Sequence, residues 1–144
     1  MAEYGARTGP EAVRRFNEEP GWGQFPSMIG LEVLEVERDR IRGRLETTER
    51  LIAGTGYLWA PVVVGLADAL CAAGTGINIP DGATFTTVEL KTNFLGPVRG
   101  EDVIAEASIV KRGRTIVLGD VTVKTASGQL VGKSLVTYMV LRTG

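Results

Sequence analysis

Histidine does not occur anywhere in the 144-residue sequence. Its absence excludes Ser-His-Asp and Cys-His catalysis, His-containing zinc sites and dehydrations that use an imidazole base. Cysteine occurs once, as Cys71, so no internal disulfide can form and a reducing, cytoplasmic compartment is expected. Neither sign of charge dominates: 16 basic against 17 acidic residues leave a formal charge of -1, which recruits neither nucleic acid nor an anionic membrane. The longest apolar run, Leu58 to Ala67, is about half of what a membrane span needs. The first thirty residues mix Glu3, Arg7, Glu11, Arg14, Arg15, Glu18 and Glu19 with Gly and Pro, where a targeting signal would need an apolar core. No phosphate-binding glycine loop is present either, since Gly74-Thr-Gly76 runs into Ile77-Asn78-Ile79-Pro80.

What the sequence does contain is enough for one globular domain: 44% apolar and 23% charged residues are the proportions of a chain that buries a proper core. Within it, Trp59 to Ala73 is apolar on every side of a helical wheel apart from one charge, Asp68, with Pro61 placed for a first helical turn. This predicts a buried helix carrying one acid. The positions within reach along the helix are Val64, Gly65, Cys71 and Ala72, none of which can neutralise a carboxylate, so Asp68 must be partnered from another element. Cys71, in the same stretch, reads as a small buried hydrophobe.

Around this helix the pattern is that of strands. Glu11 to Glu18 reads as a short helix after Pro10, ended by Pro20-Gly21-Trp22-Gly23, with Trp22, Phe25 and Met28 covering an edge of the core. From Ile29 the period falls to two. Leu31, Val33 and Glu35 oppose Glu32, Leu34 and Val36, and after Arg38-Asp39 a second strand runs through Ile41, Gly43 and Leu45. Beyond the turn Pro80-Asp81-Gly82, Thr84 to Leu95 offers Thr84, Thr86, Val88, Leu90, Thr92 and Phe94 as a core face. Strands Val103 to Lys111, Thr115 to Thr125 and Gln129 to Leu141 continue an antiparallel meander. A helix apolar all round needs a sheet that curves about it. The fold class expected is therefore α+β, about six strands wrapped around one long buried helix.

This order, with Gly56-x-Leu, Leu66-Ala-Asp68 eight residues after Ala60, Thr87-Val-Glu-Leu-Lys-x-Asn-Phe-Leu-x-Pro97, Gly100-Glu, Lys111-x-Gly-Arg114 and a closing strand after Ser127-Gly128, resembles the hotdog-fold acyl-CoA thioesterases of the phenylacetate-pathway (PaaI-type) group. The resemblance covers roughly Ile29 to Leu141 and implies a lead-in over 1-28 and one hotdog domain over 29-144. It implies hydrolysis of an acyl-CoA to free acid and coenzyme A, with Asp68 as base or nucleophile, Thr87 positioning the attacking water, and the helix head at Ala60 as oxyanion site. It further implies substrate contacts from Trp59, Pro61, Val62, Phe85 and Glu89, and coenzyme A phosphates met by Lys111, Arg112 and Arg114. No metal and no cofactor beyond the coenzyme A of the substrate are expected.

The family's His-Gly-Gly at the helix head reads Trp59-Ala60-Pro61 here, and its Asn six residues before the His falls at Ala53. What remains is the helix head itself, where the backbone N–H groups of Ala60, Val62 and Val63 are expected to lie free at the positive end of the dipole. The residues alone also admit blander roles: Asp68 as a structural acid, Thr87 as an ordinary strand threonine, Glu89 and the basic turn as solvated. An acyl-CoA binding or sensing protein without turnover, or a purely structural subunit, are the rival functions. Finally, Ala60 and Asp68 are eight residues and on the order of 12 Å apart along one helix, too far for one reacting group. A homodimer with composite sites, or a dimer of such dimers, is expected.

Overall fold

The computed structural model describes residues 7–142, so the first six positions of the lead-in, Glu3 among them, and the last two of the domain lie outside the described residues. Helix α1 (Gly9–Glu18), a 3-10 turn (Pro20–Trp22) and the single helical turn α2 (Phe25–Met28) precede strands β1 (Leu31–Val36) and β2 (Arg40–Leu45). A second 3-10 turn (Glu49–Leu51) leads to α3 (Ala60–Gly76), after which come β3 (Thr84–Phe94), β4 (Val103–Arg112), β5 (Ile116–Thr125) and β6 (Leu130–Leu141). The six strands form one antiparallel sheet in the order β1-β2-β4-β5-β6-β3, and α3 touches every one of them. This is the α+β hotdog architecture.

Two details of the sheet depart from a simple alternating reading, and both place functional groups. The strands after α3 are not a four-strand meander: β3 crosses to the far edge and pairs with β6, while β4 pairs back to β2. The alternation is also interrupted by bulges. In β1 the register slips between Val33 and Glu35, so Leu31, Val33 and Val36 are the buried positions and Glu35 is not on their face. In β3 the slip lies between Thr87 and Glu89. Thr87 pairs with the buried Tyr138 and Leu90 with the buried Val136, so Phe85 and Thr87 face the helix before the bulge and Leu90 and Thr92 after it. The face Thr84, Thr86 and Val88 is exposed. An extra residue reverses the phase of a period-two pattern, which sequence alternation alone does not reveal.

Helix α3 is seated by two strand glycines. A Cβ at Gly119 would overlap Cys71 Sγ, and one at Gly43 would stand 2.9 Å from a Leu70 methyl, so the absence of side chains there lets the helix approach the sheet closely. Leu66, Ala67, Leu70 and Cys71 are fully buried against it. The opposite face is less enclosed than an all-apolar wheel suggests. Gly65, Asp68, Ala69, Ala72 and Gly76 are only half-buried, a side of the helix built from its smallest residues and its one acid.

The two sheet edges differ. Asn17 of α1 lies along β1, its Nδ2 donating to Val33 O and its Oδ1 accepting from Val33 N, both at 2.8 Å, so one side chain completes the edge backbone as another strand would. Edge β3 has eleven residues and no strand beyond it among the described residues.

Candidate functional site

Asp68 stands in the middle of α3, half-buried, and receives its partners from the two strands at the β3 edge. Thr87 Oγ1 lies 3.1 Å from Asp68 Oδ1 and 3.4 Å from Oδ2, a contact possible because the β3 bulge follows Thr87 and leaves it facing the helix. The Tyr138 hydroxyl lies 2.8 Å from Asp68 Oδ1 and 2.9 Å from the Asp68 carbonyl, and its one proton is shared between them. Oδ1 is thus the anchored oxygen. Oδ2 has only the longer contact with Thr87 and keeps lone pairs with which to take a proton.

Tyr138 escaped the sequence reading, although a signal was present. It falls in phase with Val136 and Val140 on the inward face of β6, and a buried tyrosine hydroxyl needs a polar partner. The only acid of the apolar helix was the natural one. Burial, followed by the neighbouring Cys71 and Asp68, pushes the Tyr138 hydroxyl far above its ordinary value, so it remains a neutral donor. Burial also pushes the Cys71 thiol up to about 11. The thiol is therefore protonated at neutral pH and behaves as a small buried hydrophobe.

The helix head differs from expectation in its donors. The helix begins at Ala60, with Trp59 as its N-cap and Pro61 one position further in, so Pro61 is not the first helical residue. Trp59 N donates to Leu51 O at 3.0 Å, Pro61 has no N–H, and Val62 N donates to Trp59 O at 3.0 Å. Val63 falls where the ordinary helical ladder begins. Ala60, exposed, is therefore the position whose N–H precedes the ladder and points outward along the positive end of the helix dipole. Three expected donors reduce to one.

The remaining candidates are spread more widely. Trp59 is 51% exposed beside Ala60, with Pro61 also exposed and Val62 half-buried. Phe85 packs edge-to-face on Tyr138 at 5.3 Å between centroids and so borders the Asp68 cluster. Glu89 follows the β3 bulge and faces away from the helix, opposite to Thr87, where the simple alternation had put both on one face. Lys111 and Arg114 are exposed at the end of the β4-β5 hairpin, but Arg112 is paired with Asp39. Arg99, which the sequence did not single out, lies over the Tyr57 ring at 4.9 Å, close to the helix head. Among the described residues no three His, Cys, Asp or Glu side chains come together to hold a metal, and no helix is long and apolar enough to cross a membrane.

A family profile described as the thioesterase superfamily matches residues 55–132, more than half of the chain, from the loop before α3 into β6. The 1,4-dihydroxy-2-naphthoyl-CoA hydrolase of Listeria monocytogenes is 28% identical over 113 residues, covering 78% of this chain and 91% of that protein. Among solved structures, a Haemophilus influenzae thioesterase superposes with a TM-score of 0.84 at 24% identity, over 90% of each chain. A hypothetical thioesterase of Streptococcus pneumoniae, solved with coenzyme A, superposes with a TM-score of 0.71 at 17% identity, over 78% of this chain and 88% of that one. At these identities the superpositions speak for the fold.

Proposed function

Because the chain belongs to the thioesterase superfamily, we propose that it hydrolyses an acyl-CoA thioester to free acid and coenzyme A, with Asp68 as the base or nucleophile. The observation that carries this reading is the Asp68 carboxylate itself: the one acid of an apolar helix, half-buried and held through Oδ1 by Tyr138 and Thr87, with only the longer Thr87 contact on Oδ2. A water hydrogen-bonded to Oδ2 attacks the thioester carbonyl as its proton passes to the carboxylate. The C–S bond then breaks, and the proton returns to the departing thiolate of coenzyme A. Alternatively Oδ2 attacks directly, and water hydrolyses the anhydride that forms.

The developing oxyanion requires a donor at about 3 Å. The Ala60 N–H is suited to it, but it stands eight residues and roughly 12 Å along α3 from Asp68 in the same chain. A two-fold dimer in which the helix head of one chain faces Asp68 of the other resolves the distance and yields two equivalent sites. The open β3 edge and the exposed Trp59, Val88 and Phe94 near it support such a pairing. A dimer of dimers would in addition cover the outward Leu135 and Met139. For coenzyme A, whose presence in the Streptococcus pneumoniae structure is consistent with a thioester substrate, Lys111 and Arg114 are the available cations of the basic turn, Arg112 being held by Asp39. A cytoplasmic setting agrees with an unpaired, buried Cys71.

The test is thiol release from a set of acyl-CoAs by wild type and Asp68→Asn. The variant keeps shape and removes charge, so hydrolysis should fall by at least a hundredfold with the fold and acyl-CoA binding retained. Activity within about threefold of wild type, a loss below ~1 kcal/mol, would remove Asp68 from the chemistry. The departure at Trp59-Ala60-Pro61 favours the second reading, an acyl-CoA binding protein without turnover. That reading predicts saturable binding of an acyl-CoA with no thiol released by wild type.

A further inference from the structure

A second group of hydroxyls faces α3 from the sheet, nearer the helix head than the partners of Asp68. Thr92 of β3 stands directly across from Ser134 of β6, with 2.7 Å between Thr92 Oγ1 and Ser134 Oγ. Ser134 is buried, and Thr92, on the open edge strand, is half-buried. Among the described residues neither side chain has another hydrogen-bond partner. Burial then decides which hydroxyl donates. If Thr92 donated, the Ser134 proton would be left in the interior without an acceptor, which costs more than the bond gains. Ser134 therefore donates to Thr92, and the Thr92 proton is the one left for a group arriving from outside.

The pair lies under the first turn of α3. A Cβ built on Gly132 of β6 would stand 3.4 Å from a Val63 methyl and 4.0 Å from Thr92 Cγ2, so the missing side chain lets Thr92 and the helix close in on one another. Val63 follows Ala60 by three residues, the next position along that side of the helix. Towards the other end a Cβ on Gly76 would meet Phe85, so β3 runs antiparallel to α3, with Thr87 beside Asp68 and Thr92 beside the helix head. Thr87 and Thr92 are on the order of 15 Å apart along the strand, much as Asp68 and Ala60 are along the helix. Thr92 thus belongs with Ala60.

We infer that the Thr92 hydroxyl is the second donor to the oxyanion, beside the Ala60 N–H, and so a catalytic residue of the site proposed above. The inference rests on the thioesterase reading. Of the backbone groups at the helix head, Trp59 N and Val62 N are spent within the protein and Pro61 has no N–H, while an oxyanion has lone pairs for more than one donor. Thr92 Oγ1 accepts from Ser134, so its own O–H cannot turn that way and is aimed out of the core before a substrate arrives. The hydroxyl keeps its proton throughout. It strengthens its bond to the carbonyl oxygen as the attacking water drives charge onto that atom, and the bond weakens again when the carbonyl re-forms and the thiolate leaves.

Thiol release from acetyl-, hexanoyl- and benzoyl-CoA is measured for wild type, Thr92→Val, Thr92→Ser and Thr92→Val/Ser134→Ala. The double variant removes both hydroxyls, leaves no buried proton unmatched, and serves where Thr92→Val alone does not fold. On the best substrate kcat should fall about a hundredfold in both variants that lack the Thr92 hydroxyl, with KM little changed, and recover in Thr92→Ser. Mixed and allowed to exchange, Thr92→Val and Asp68→Asn chains should regain activity, because their defects lie in opposite halves of the site, whereas Thr92→Val and Ala60→Pro chains should not. Raman difference spectra of the same acyl-CoAs, isotopically labelled at the carbonyl carbon and bound to Asp68→Asn protein, give a readout without turnover. The carbonyl band should lie below that of the free thioester and move back towards it when Thr92→Val is added. If wild type releases thiol and both variants keep kcat within about threefold of it, or if Thr92→Val complements Ala60→Pro rather than Asp68→Asn, the Thr92 assignment is overturned and the thioesterase reading stands. If wild type releases no thiol, that reading fails and the carbonyl band decides alone: a shift that depends on Thr92 upholds its hydrogen bond to the thioester oxygen, and no such shift overturns it.

Discussion

The hydroxyl oxygen of Tyr138 stands 2.8 Å from Asp68 Oδ1, although the two residues are 70 positions apart in the chain. Tyr138 is fully buried and Asp68 half-buried, so the contact from the protein interior falls on one carboxylate oxygen, while the other has only the 3.4 Å contact with Thr87.

Tyr138→Phe should therefore lower kcat about ten- to a hundredfold while KM changes little, because the carboxylate keeps its charge but loses the group that orients it. The ring still fills the core and still meets Phe85. Chemical denaturation should show a stability loss of about 1 kcal/mol from one missing hydrogen bond. An unchanged kcat alongside the stability loss would make the contact structural only.

Thr87 offers a sharper comparison, since its hydroxyl can be removed or kept. Thr87→Val preserves the β-branched shape and should reduce kcat about tenfold, near 1.4 kcal/mol. Thr87→Ser restores the donor and should recover most of the rate. Equal rates for the valine and serine variants would show that the hydroxyl at this position is not what matters.

Composite sites can be tested by complementation between two inactive chains. Ala60→Pro deletes the one N–H proposed to hold the oxyanion, and the backbone tolerates it: Ala60 is the first helical residue, and Trp59 at φ -60°, ψ 133° already has the conformation that precedes proline. Mixed with Asp68→Asn chains and allowed to exchange, half of the dimers carry one intact site and one doubly defective site. Activity should return to about a quarter of wild type. No recovery after mass spectrometry has shown exchange, or a fully active monomer in sedimentation, would sink the shared site.

Alkaline pH should weaken the fold through buried acids that stay protonated. The Cys71 thiol ordinarily ionises near 9.0 and is raised to about 11 by burial, so its contribution is complete below pH 9 and is lost as the pH climbs towards 11. Tyr138, raised by the same cause, acts in the same direction. The thiol's share is on the order of 2 to 3 kcal/mol across that window. Urea titrations at pH 8 and pH 10.5 should show the loss in wild type and a smaller one in Cys71→Ala; equal losses would mean that the thiol is not buried in solution. The same thiol should be silent to Ellman's reagent in the native protein and react as one equivalent in denaturant, which keeps the thiol-release assay free of background.

Much of this was readable from residue order. The apolar run Trp59 to Ala73 called for a helix with a sheet around it, and a lone Asp68 among Val64, Gly65, Cys71 and Ala72 had to be satisfied from outside, as Thr87 and Tyr138 do. Sequence also placed Pro61 within the first helical turn, where it stands second after Ala60, because proline tolerates a turn whose N–H groups have no partner in the helix. The tertiary structure decided the rest. Bulges in β1 and β3 moved Val36 inward and turned Glu89 away from Thr87, since whether a ladder inserts a residue depends on its neighbour across the sheet and not on its own alternation. The strand order brought Tyr138 beside Thr87 and left β3 as an open edge, a matter of long-range pairing that no local pattern encodes. Helix packing likewise determined that the small residues after Asp68 would floor a cavity, because a side chain's neighbours across space, not along the chain, decide whether a missing atom leaves a void or a contact.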